Sequence, residues 1–509
     1  MADTPLIAGI DFGTTNTKAL VFDPTGRIVS QASVRTPTHR PRPGWAHYRP
    51  DELWDGVVQV LRGAIGRLQH PKAIVSVAVA SVGETGVPID SRGEPTYDAI
   101  AWFDQRTESQ AEHLERTVGS DRFHALTGLP VKPIFGLCKM LWLKEHEPDA
   151  FARTAAWLNA ADYIAYRLCG TPATDHSLAS RTLALDLHRL QWAEDVVSEA
   201  GIPSSLLAPL VASGTPLGNV LPEMATETGL PTSAQVAAGG HDHICGALAV
   251  GVTEPDTLLD SLGTAEALCI PLNSLPIDTG IIHDGYSLGA HVVPGRYYVL
   301  GGIYTSGASI EWFRDALGGD AEYEELIAEA GEVPPGSLGA CFLPHLRLGN
   351  PPHNDPLSRG AFIGLTPDVS RGGLFRALLE GLALEYRYLI EGLVPHLENT
   401  VPTRIVSIGG GTRNALLMGI KASVQNRTIT VAEVDEAVAL GAAVLGGLAA
   451  GVYSDVPSAL SQLRIDQTRV DPVPEMAELY ETRYQEVFRH LYSTLRPLHR
   501  TLAQSHGQA

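Results

Sequence analysis

The chain has 509 residues, of which 44% are hydrophobic and 18% charged, a balance typical of folded globular proteins. At about 150 residues per domain, this length predicts more than one domain, and two large ones fit it. The 57 acidic residues outnumber the 37 basic ones, so the formal net charge is −20. Such a charge repels nucleic-acid phosphates and anionic lipids, which argues against a nucleic-acid or membrane partner. Any anionic ligand must therefore be held by local donors or a metal ion.

The five cysteines are scattered, odd in number and without a CxxC pair. This usage argues against a disulfide framework and a zinc site and favours a reducing, cytoplasmic compartment. The first residues, MADTPLIAGIDFG, lack the basic and apolar segments of a secretory signal. Residues 437–453 are mostly Ala and Gly, and they are short for a membrane span. We interpret them as a helix packed closely inside a domain, and we expect a soluble intracellular protein.

Two apolar runs open the chain, at residues 6–10 and 19–22, and each ends at a turn. The turns are Asp11-Phe-Gly-Thr-Thr-Asn-Thr-Lys18 and Asp23-Pro-Thr-Gly26, a pattern that predicts consecutive β-hairpins. A helical pattern around residues 53–68 and a buried strand at residues 74–80 follow.

The tip of the first hairpin has residues suited to a phosphate. Gly13 lets the backbone approach a bulky anion, and Thr14 and Thr15 offer hydroxyl and amide donors. Asp11, at the strand end, is placed to hold a hydrated Mg²⁺ beside that phosphate. Lys18 either compensates the phosphate charge or is a solvated strand residue. The plain alternative is a β-turn without a ligand.

A similar strand–turn–strand pattern returns half a chain later, where Thr257-Leu-Leu-Asp260 leads into Ser261-Leu-Gly-Thr264 and then into residues 265–270. This repetition predicts two related domains, residues 1–250 and 251–498, although a single domain with coincidental Gly-Thr turns is the alternative. From Pro474 onward, apolar residues at helical spacing predict a helix that packs on the second domain. We expect residues 499–509 to be a frayed tail.

Two further glycine-rich turns follow apolar runs. Gly239-Gly-His-Asp-His243 precedes a predicted helix, and Asp242 can there remove a proton from a substrate hydroxyl. The open alternatives for Asp242 are a metal ligand, a helix N-cap, and a His-Asp-His metal site that no further ligand pair supports. Residues 405–414 predict a strand, a triple-glycine loop and a helix, which suits a nucleotide. This loop is neither a Walker A loop nor a GxGxxG turn.

Residues 101–106 and the pair Glu84-Thr85 predict a polar pocket with an aromatic wall. Carboxylates and a guanidinium around Trp102 can bind the vicinal hydroxyls of a sugar. Equally, Trp102 can belong to the core, with Asp104 and Arg106 forming a surface ion pair.

In this order, the segments resemble the FGGY carbohydrate kinases of the actin, hexokinase and heat-shock ATPase superfamily, over residues 6–498. Each segment is weak alone, and together they are specific. The matching segments are residues 11–18 and 261–264 (phosphate motifs), 44–54, 102–106, 174–180, 239–243 (catalytic base), 307–312 and 409–414 (adenosine site), and 360–380 (C-terminal signature).

The resemblance implies an α/β protein with two ribonuclease-H-like (actin-like ATPase) domains and a central cleft for ATP and a sugar. It implies that Asp242 is the general base and that Mg²⁺ lies at Asp11 and Asp242. The implied substrate-binding residues are Glu84, Trp102, Asp104, Arg106, Asp242 and His243. The implied residues for ATP are Asp11, Gly13, Thr14, Thr15, Lys18, Gly263, Thr264, Gly307, Glu311, Gly410, Gly411 and Asn414.

Three positions depart from the family pattern. Ile134 stands where glycerol kinases have a substrate-binding Tyr, and His243 replaces the common Asn or Gln. Gly83-Glu84-Thr85 replaces Arg-Glu-Thr of glycerol kinases and Gln-Met-His of xylulokinases, so Glu84 has lost its Arg neighbour. Ile134 and Gly83 count against glycerol, and the loss of Gln-Met-His counts against a xylulokinase; the role of His243 stays open.

We therefore expect ATP-dependent phosphorylation of a small ketose or polyol, such as a pentulose or tetritol, at a primary hydroxyl. A heat-shock-type ATPase would need a peptide-binding domain and helical lid, which the sequence does not show. A non-catalytic sugar sensor would be indicated by a missing base, whereas Asp242 is present. Homodimers are common in families like this, but no sequence pattern marks an interface.

Overall fold

The computed structural model describes residues 4–276, 278–397 and 402–505. A six-stranded mixed sheet lies in the first half of the chain, in the order β5-β6-β4-β1-β2-β3. Its strands are β1 (Leu6–Phe12), β2 (Asn16–Phe22), β3 (Ile28–Arg35), β4 (Ile74–Ser81), β5 (Pro216–Asn219) and β6 (Gln235–His241).

A seven-stranded sheet lies in the second half, in the order β9-β10-β8-β7-β11-β12-β13. Its strands are β7 (Thr257–Leu262), β8 (Glu266–Leu272), β9 (Ser287–Ala290), β10 (Tyr297–Ile303), β11 (Arg404–Ile408), β12 (Ile429–Glu433) and β13 (Asp466–Val470). Five two-stranded pairs complete the β structure: His47–Tyr48 with Ala99–Ile100, Gly86–Ile89 with Ala156–Asn159, Thr174–Asp175 with Leu210–Val211, Leu185–Asp186 with Gln191–Trp192, and Cys341–Leu343 with Ala361–Ile363.

The two sheets repeat one pattern. In the first, β1, β2 and β3 are antiparallel neighbours, and β4 and β6 follow as parallel strands on the other side of β1. In the second, β7, β8 and β10 are antiparallel neighbours, and β11 and β12 follow in parallel on the other side of β7. The fold class is confirmed: each half has a ribonuclease-H-like sheet, and the repeated hairpin belongs to this duplication.

Helices flank both sheets. The first, α1 (Pro50–Ile65), has proline at its first position and acidic residues in its first turn, and its apolar face is buried. The others are α2 (Glu108–Thr117), α3 (Ser120–Thr127), α4 (Gly136–His146), α5 (Pro148–Arg153), α6 (Ala160–Cys169), α7 (His176–Ala179), α8 (Glu194–Glu199), α9 (Pro222–Thr228), α10 (Asp242–Ala249), α11 (Gly280–His283), α12 (Gly307–Leu317), α13 (Tyr323–Glu332), α14 (Arg371–Leu393), α15 (Ala415–Gln425), α16 (Ala437–Ala449), α17 (Val456–Gln462), α18 (Pro474–Arg483) and α19 (Arg489–Ser505).

The Ala/Gly-rich helix α16 packs between the two halves rather than inside one of them. It lies against α10 and against β1 of the first sheet, and one apolar cluster includes residues from both sheets. A Cβ on Gly9 would come within 1.9 Å of the Ala439 carbonyl, and one on Gly441 within 1.9 Å of the Cys245 carbonyl. Glycine at these positions therefore allows the two halves to touch through backbone.

The C-terminal helices differ from the prediction in one respect. A π-helical turn, Tyr484–Phe488, joins α18 to α19, and α19 continues to Ser505. The tail predicted from residue 499 is wrong up to residue 505, because His499 is buried and accepts a hydrogen bond from the Arg359 amide. Residues 506–509 lie outside the described residues. Among the described helices, none is long and apolar enough to cross a membrane.

Candidate active site

The first hairpin carries Asp11 at the end of β1, directly opposite Lys18 on β2. Burial, and then the charge of Asp242, raise the pKa of Asp11 to about 7. The ammonium of Lys18 donates to both carboxylate oxygens of Glu436, at 2.7 and 2.8 Å, just before α16 begins. Lys18 therefore joins the first hairpin to a segment of the second half instead of pointing freely toward a phosphate.

Asp242 is the first residue of α10, immediately after β6 ends. Its carboxylate is one-fifth exposed and accepts a hydrogen bond from the His243 amide at 2.6 Å. Burial raises the pKa of Asp242, whereas burial and the Arg181 charge hold the pKa of His241 well below its usual range. The low pKa of His241 disfavours a charged imidazole beside Asp242, whose own carboxylate is partly open to solvent.

A cavity of about 340 Å³ lies in front of Asp242, between the two halves. Its volume suits a small polar ligand. Of the predicted site residues, it is lined by Thr14, Glu84, Trp102, Asp242 and His243. It is also lined by residues that the sequence analysis did not assign to the substrate, including Lys132, Arg181, Ser287 and Tyr304.

The carboxylate of Glu84 is held by Arg181. The Arg181 Nη2 and Nε atoms lie 2.6 and 2.8 Å from Glu84 Oε1, and both side chains are nearly buried. A Cβ on Gly83 would come within 2.7 Å of the Arg181 side chain and of the His241 ring. Any larger residue at position 83 would displace the Arg181 side chain or the His241 ring. Arg181 thus supplies Glu84 with the guanidinium that an Arg at position 83 supplies in the glycerol kinase pattern.

Lys139 fixes the backbone that carries Glu84. Its ammonium is fully buried and donates to the carbonyls of Glu84, Ile100 and Ala101. These bonds tie the loop of Glu84 to the strand that leads to Trp102. Trp102 in turn donates from its indole N–H to the Thr14 hydroxyl at 2.9 Å, so the cavity wall is joined to the first hairpin.

Asp104 and Arg106 are not brought into this cavity, contrary to the prediction. They form a buried ion pair with each other at 2.8 Å, and Asp104 also accepts the Ala46 amide. The guanidinium lies over the ring of Trp45, 3.9 Å from its centre. Asp104 and Arg106 therefore satisfy each other and hold the loop that carries Trp102. The sequence pattern of residues 102–106 does not distinguish this structural role from sugar binding.

Lys132 is the unexpected cation of the cavity. Its ammonium donates no hydrogen bond to, and forms no ion pair with, any residue that the structure describes, and burial with the nearby Arg181 charge lowers its pKa to about 8. The sequence offered no signal for this lysine, because it lies in an irregular segment between α3 and α4. Its position depends on tertiary packing.

The second hairpin is fixed by buried charges. Lys421 of α15 lies 2.7 Å from Asp260 and 2.5 Å from Glu266, at the two sides of this hairpin. Ser407 donates to Asp260, and Ser306 donates to Glu266. All three charged side chains are buried, so they hold the hairpin in place.

Gly263 and Thr264, at the tip of the second hairpin, contact the start of α12. The Gly307 amide donates to the Gly263 carbonyl, and a Cβ on Gly307 would come within 2.5 Å of that oxygen. Glu311, predicted to bind ATP from the same helix, is exposed and pairs with Arg314 at 2.7 Å. The structure therefore brings Gly307, but not Glu311, to the hairpin.

A second cavity, of about 660 Å³, lies at the triple-glycine loop and is lined by Gly410, Ala415, Met418 and residues of β12. Gly411 packs against the Leu262 side chain, so its contact is with the second hairpin. Asn414 is the N-cap of α15: it accepts the Leu417 amide and donates to the Tyr323 hydroxyl. The side chain of Asn414 is thus already used for helix capping and for the bond to Tyr323. Its predicted contact with ATP stays a prediction.

Two family models cover most of the chain. The model for the N-terminal domain of the FGGY family of carbohydrate kinases matches residues 6–249, and the model for the C-terminal domain matches residues 259–450. The chain belongs to the FGGY family of carbohydrate kinases. It is therefore a phosphotransferase that acts on a small sugar or polyol, in a family that uses ATP with a divalent metal, generally Mg²⁺.

Individual relatives agree with this assignment. The chain is 28% identical to a xylulose kinase of Bacillus subtilis over 97% of this chain and 98% of that one. It is 31% identical to a glycerol kinase of Saccharopolyspora erythraea over 94% and 97% of the two chains. The crystal structure of a xylulose kinase from Rhodospirillum rubrum superposes with a TM-score of 0.88, at 31% identity over 97% of this FGGY kinase and 100% of that chain.

Proposed function

We propose that this kinase phosphorylates a primary hydroxyl of a small ketose or polyol, with Asp242 as general base and Mg·ATP as donor. The observation that carries the proposal is the carboxylate of Asp242, which faces an open cleft of sugar size beside the hairpin of Asp11. A carboxylate within reach of a hydroxyl can accept its proton as the oxygen attacks phosphorus.

The donor set at the hairpins fits the proposed cofactors. Asp11 and Asp242 offer the oxygen ligands that Mg²⁺ prefers. The charge of Asp242 raises the pKa of Asp11, and a cation bound between the two carboxylates would relieve this repulsion. Bound Mg²⁺ would neutralise charge on the transferring phosphoryl group. Thr14, Thr15 and Thr264 would donate to phosphate oxygens from the hairpin tips.

The remaining cavity residues would orient the acceptor. Glu84 keeps an oxygen available beside its pair with Arg181, and both can bind neighbouring hydroxyls. His243 lines the same wall, and Trp102 covers one side of the cavity. Closure of the two halves, which we propose to be domains 1–250 and 251–498, would exclude water as a competing acceptor.

A second candidate is an acidic sugar, such as an aldonate. Lys132 supports it, because it is a partly buried cation that lines the cavity without an anionic partner among the described residues. A substrate carboxylate would supply that partner, and an ionic hydrogen bond of this kind contributes about 1.5–3 kcal/mol.

The test is ADP release with Mg·ATP against a panel of ketoses, polyols and sugar acids. A neutral acceptor with the highest kcat/KM supports the first candidate. A preferred sugar acid supports the second, provided that Lys132→Met raises the KM for the acid about 10- to 100-fold while Lys72→Met, at an exposed lysine, does not. If no acceptor is phosphorylated while one raises the melting temperature, the protein is a sugar sensor and both candidates fail.

Light scattering on the same sample tests for a homodimer.

A further inference from the structure

A cluster of three metal-ligating side chains lies away from the active site, where α3 meets α11. Asp121 and His124 are one turn apart on α3, and His283 is the last residue of α11. One ligand atom from each side chain can be chosen so that all lie within 4.8 Å of one another. His283 Nε2 is 3.6 Å from Asp121 Oδ1, and the two imidazole rings are 4.7 Å apart.

The state of His124 is the second observation. This side chain is buried, and its Nδ1 atom has no hydrogen-bond partner among the residues that the structure describes. Buried ring nitrogens are normally paired, because an unpaired one loses its hydration without compensation. Asp278 and Asp284 are bonded to the two ring nitrogens of His396, at 3.0 and 2.9 Å. Neither of them is a hydrogen-bond partner of His124 Nδ1.

We propose that Asp121, His124 and His283 form a binding site for a divalent transition metal, with Zn²⁺ as the best match. Two imidazoles and one carboxylate are a donor set that suits Zn²⁺ and leaves a fourth position for water. Mg²⁺ and Ca²⁺ prefer oxygen ligands and would bind poorly there. The site is thus chemically distinct from the all-carboxylate pair Asp11 and Asp242.

The site also joins two segments that reach the sugar cavity. The chain after α3 continues to Pro130 and Lys132, and the chain after α11 continues to Gly285 and Ser287, all of which line that cavity. The Leu288 amide donates to the Gly128 carbonyl at 2.8 Å, so the segments already touch. A bound metal would cross-link them and should raise the melting temperature.

The test is calorimetric titration of the chelator-treated full-length protein with Zn²⁺, in excess Mg²⁺ that occupies oxygen-only sites. We expect one tight site per chain, weakened about 100-fold in His283→Ala and in His124→Ala and about 10-fold in Asp121→Asn. His283 is more than half exposed, so its variant should fold normally. His490→Ala, at an exposed histidine of α19, is the matched control and should bind like the wild type.

Replacing Zn²⁺ by Co²⁺ adds a spectroscopic measurement. The wild type should give the visible absorption of four-coordinate Co²⁺, and His283→Ala should lose it. The proposal is overturned if the wild type has no tight site, or if His283→Ala and His490→Ala bind Zn²⁺ equally.

Discussion

The two hairpins that carry Asp11 and Ser261 have the same backbone plan but are held in place differently. In the first, the strand-end position carries Asp11, and Lys18 forms a mostly buried ion pair with Glu436. In the second, the matching position is Ser261, and Lys421 of α15 forms buried ion pairs with Asp260 and Glu266 of the hairpin. These three residues are the buried triad of the second hairpin. The two hairpins thus share a backbone conformation, but only the first has a carboxylate, that of Asp11, at this strand-end position.

This difference indicates a division of labour. Under the proposed function, the first hairpin would bind the metal beside the acceptor cavity; it contacts the other half through the Lys18–Glu436 ion pair and through the close backbone approach of Gly9 to α16. The second hairpin is held by buried ion pairs to α15 and by backbone hydrogen bonds to α12, and under the proposed function it would support the nucleotide. Three predictions follow from this comparison, from the largest expected effect to the smallest.

Lys421→Met should have the largest effect on stability. It leaves Asp260 and Glu266 buried without a cation, which costs about 3–5 kcal/mol of unfolding free energy. Burial already raises the pKa of Glu266 from 4.5 to about 7, and loss of the lysine raises it further. The folded variant then binds a proton that the unfolded chain releases, so the deficit should shrink as the pH falls from about 8 to about 6. Urea unfolding at both pH values measures this, and an equal deficit at both would contradict the triad's role.

Asp11→Asn and Ser261→Ala should sharpen the comparison in activity. Loss of a metal-binding carboxylate should lower kcat about 100-fold, equivalent to about 2.7 kcal/mol, whereas loss of the Ser261 hydroxyl should cost less than about threefold. Initial rates over a range of Mg²⁺ concentrations distinguish weaker metal binding from slower chemistry. Equal losses in the two variants would mean that the hairpins share the metal, and the division of labour would be wrong.

Lys18→Met should have the smallest effect. The pair with Glu436 is roughly a quarter exposed, so its removal should cost about 1 kcal/mol or less. Thermal unfolding checks this, with Lys421→Met as the contrasting variant. A loss as large as that of Lys421→Met would show that both hairpins are rigidly anchored.

The fold could be predicted from the sequence because its signals are local and repeated. The hairpins at Asp11 and Ser261, the strand before Asp242 and the triple-glycine loop all combine an apolar run with a specific turn. The site was predicted only in part. Arg181 and Lys132 reach the cavity through tertiary packing, and Asp104 with Arg106 satisfy each other instead of a sugar.

Glu311 and the helical end of the chain show the same limit. A matching residue type on the matching helix does not fix which way the side chain faces, and Glu311 faces Arg314. The last residues of the chain, from 499 onward, were expected to fray, but His499 is buried and α19 continues to Ser505. In both cases the deciding contact comes from a neighbour that is not visible in the local pattern.

The central claim is that Asp242 accepts the proton of the attacking hydroxyl, and Asp242→Asn tests it most directly. With the acceptor identified by the panel, we would measure phosphoryl transfer and the Kd of the sugar for wild type and variant. Loss of a general base predicts that kcat falls roughly 10²–10⁴-fold while the Kd changes little. A variant that retains kcat within about threefold, with the same Kd, would contradict the assignment of Asp242 as the base.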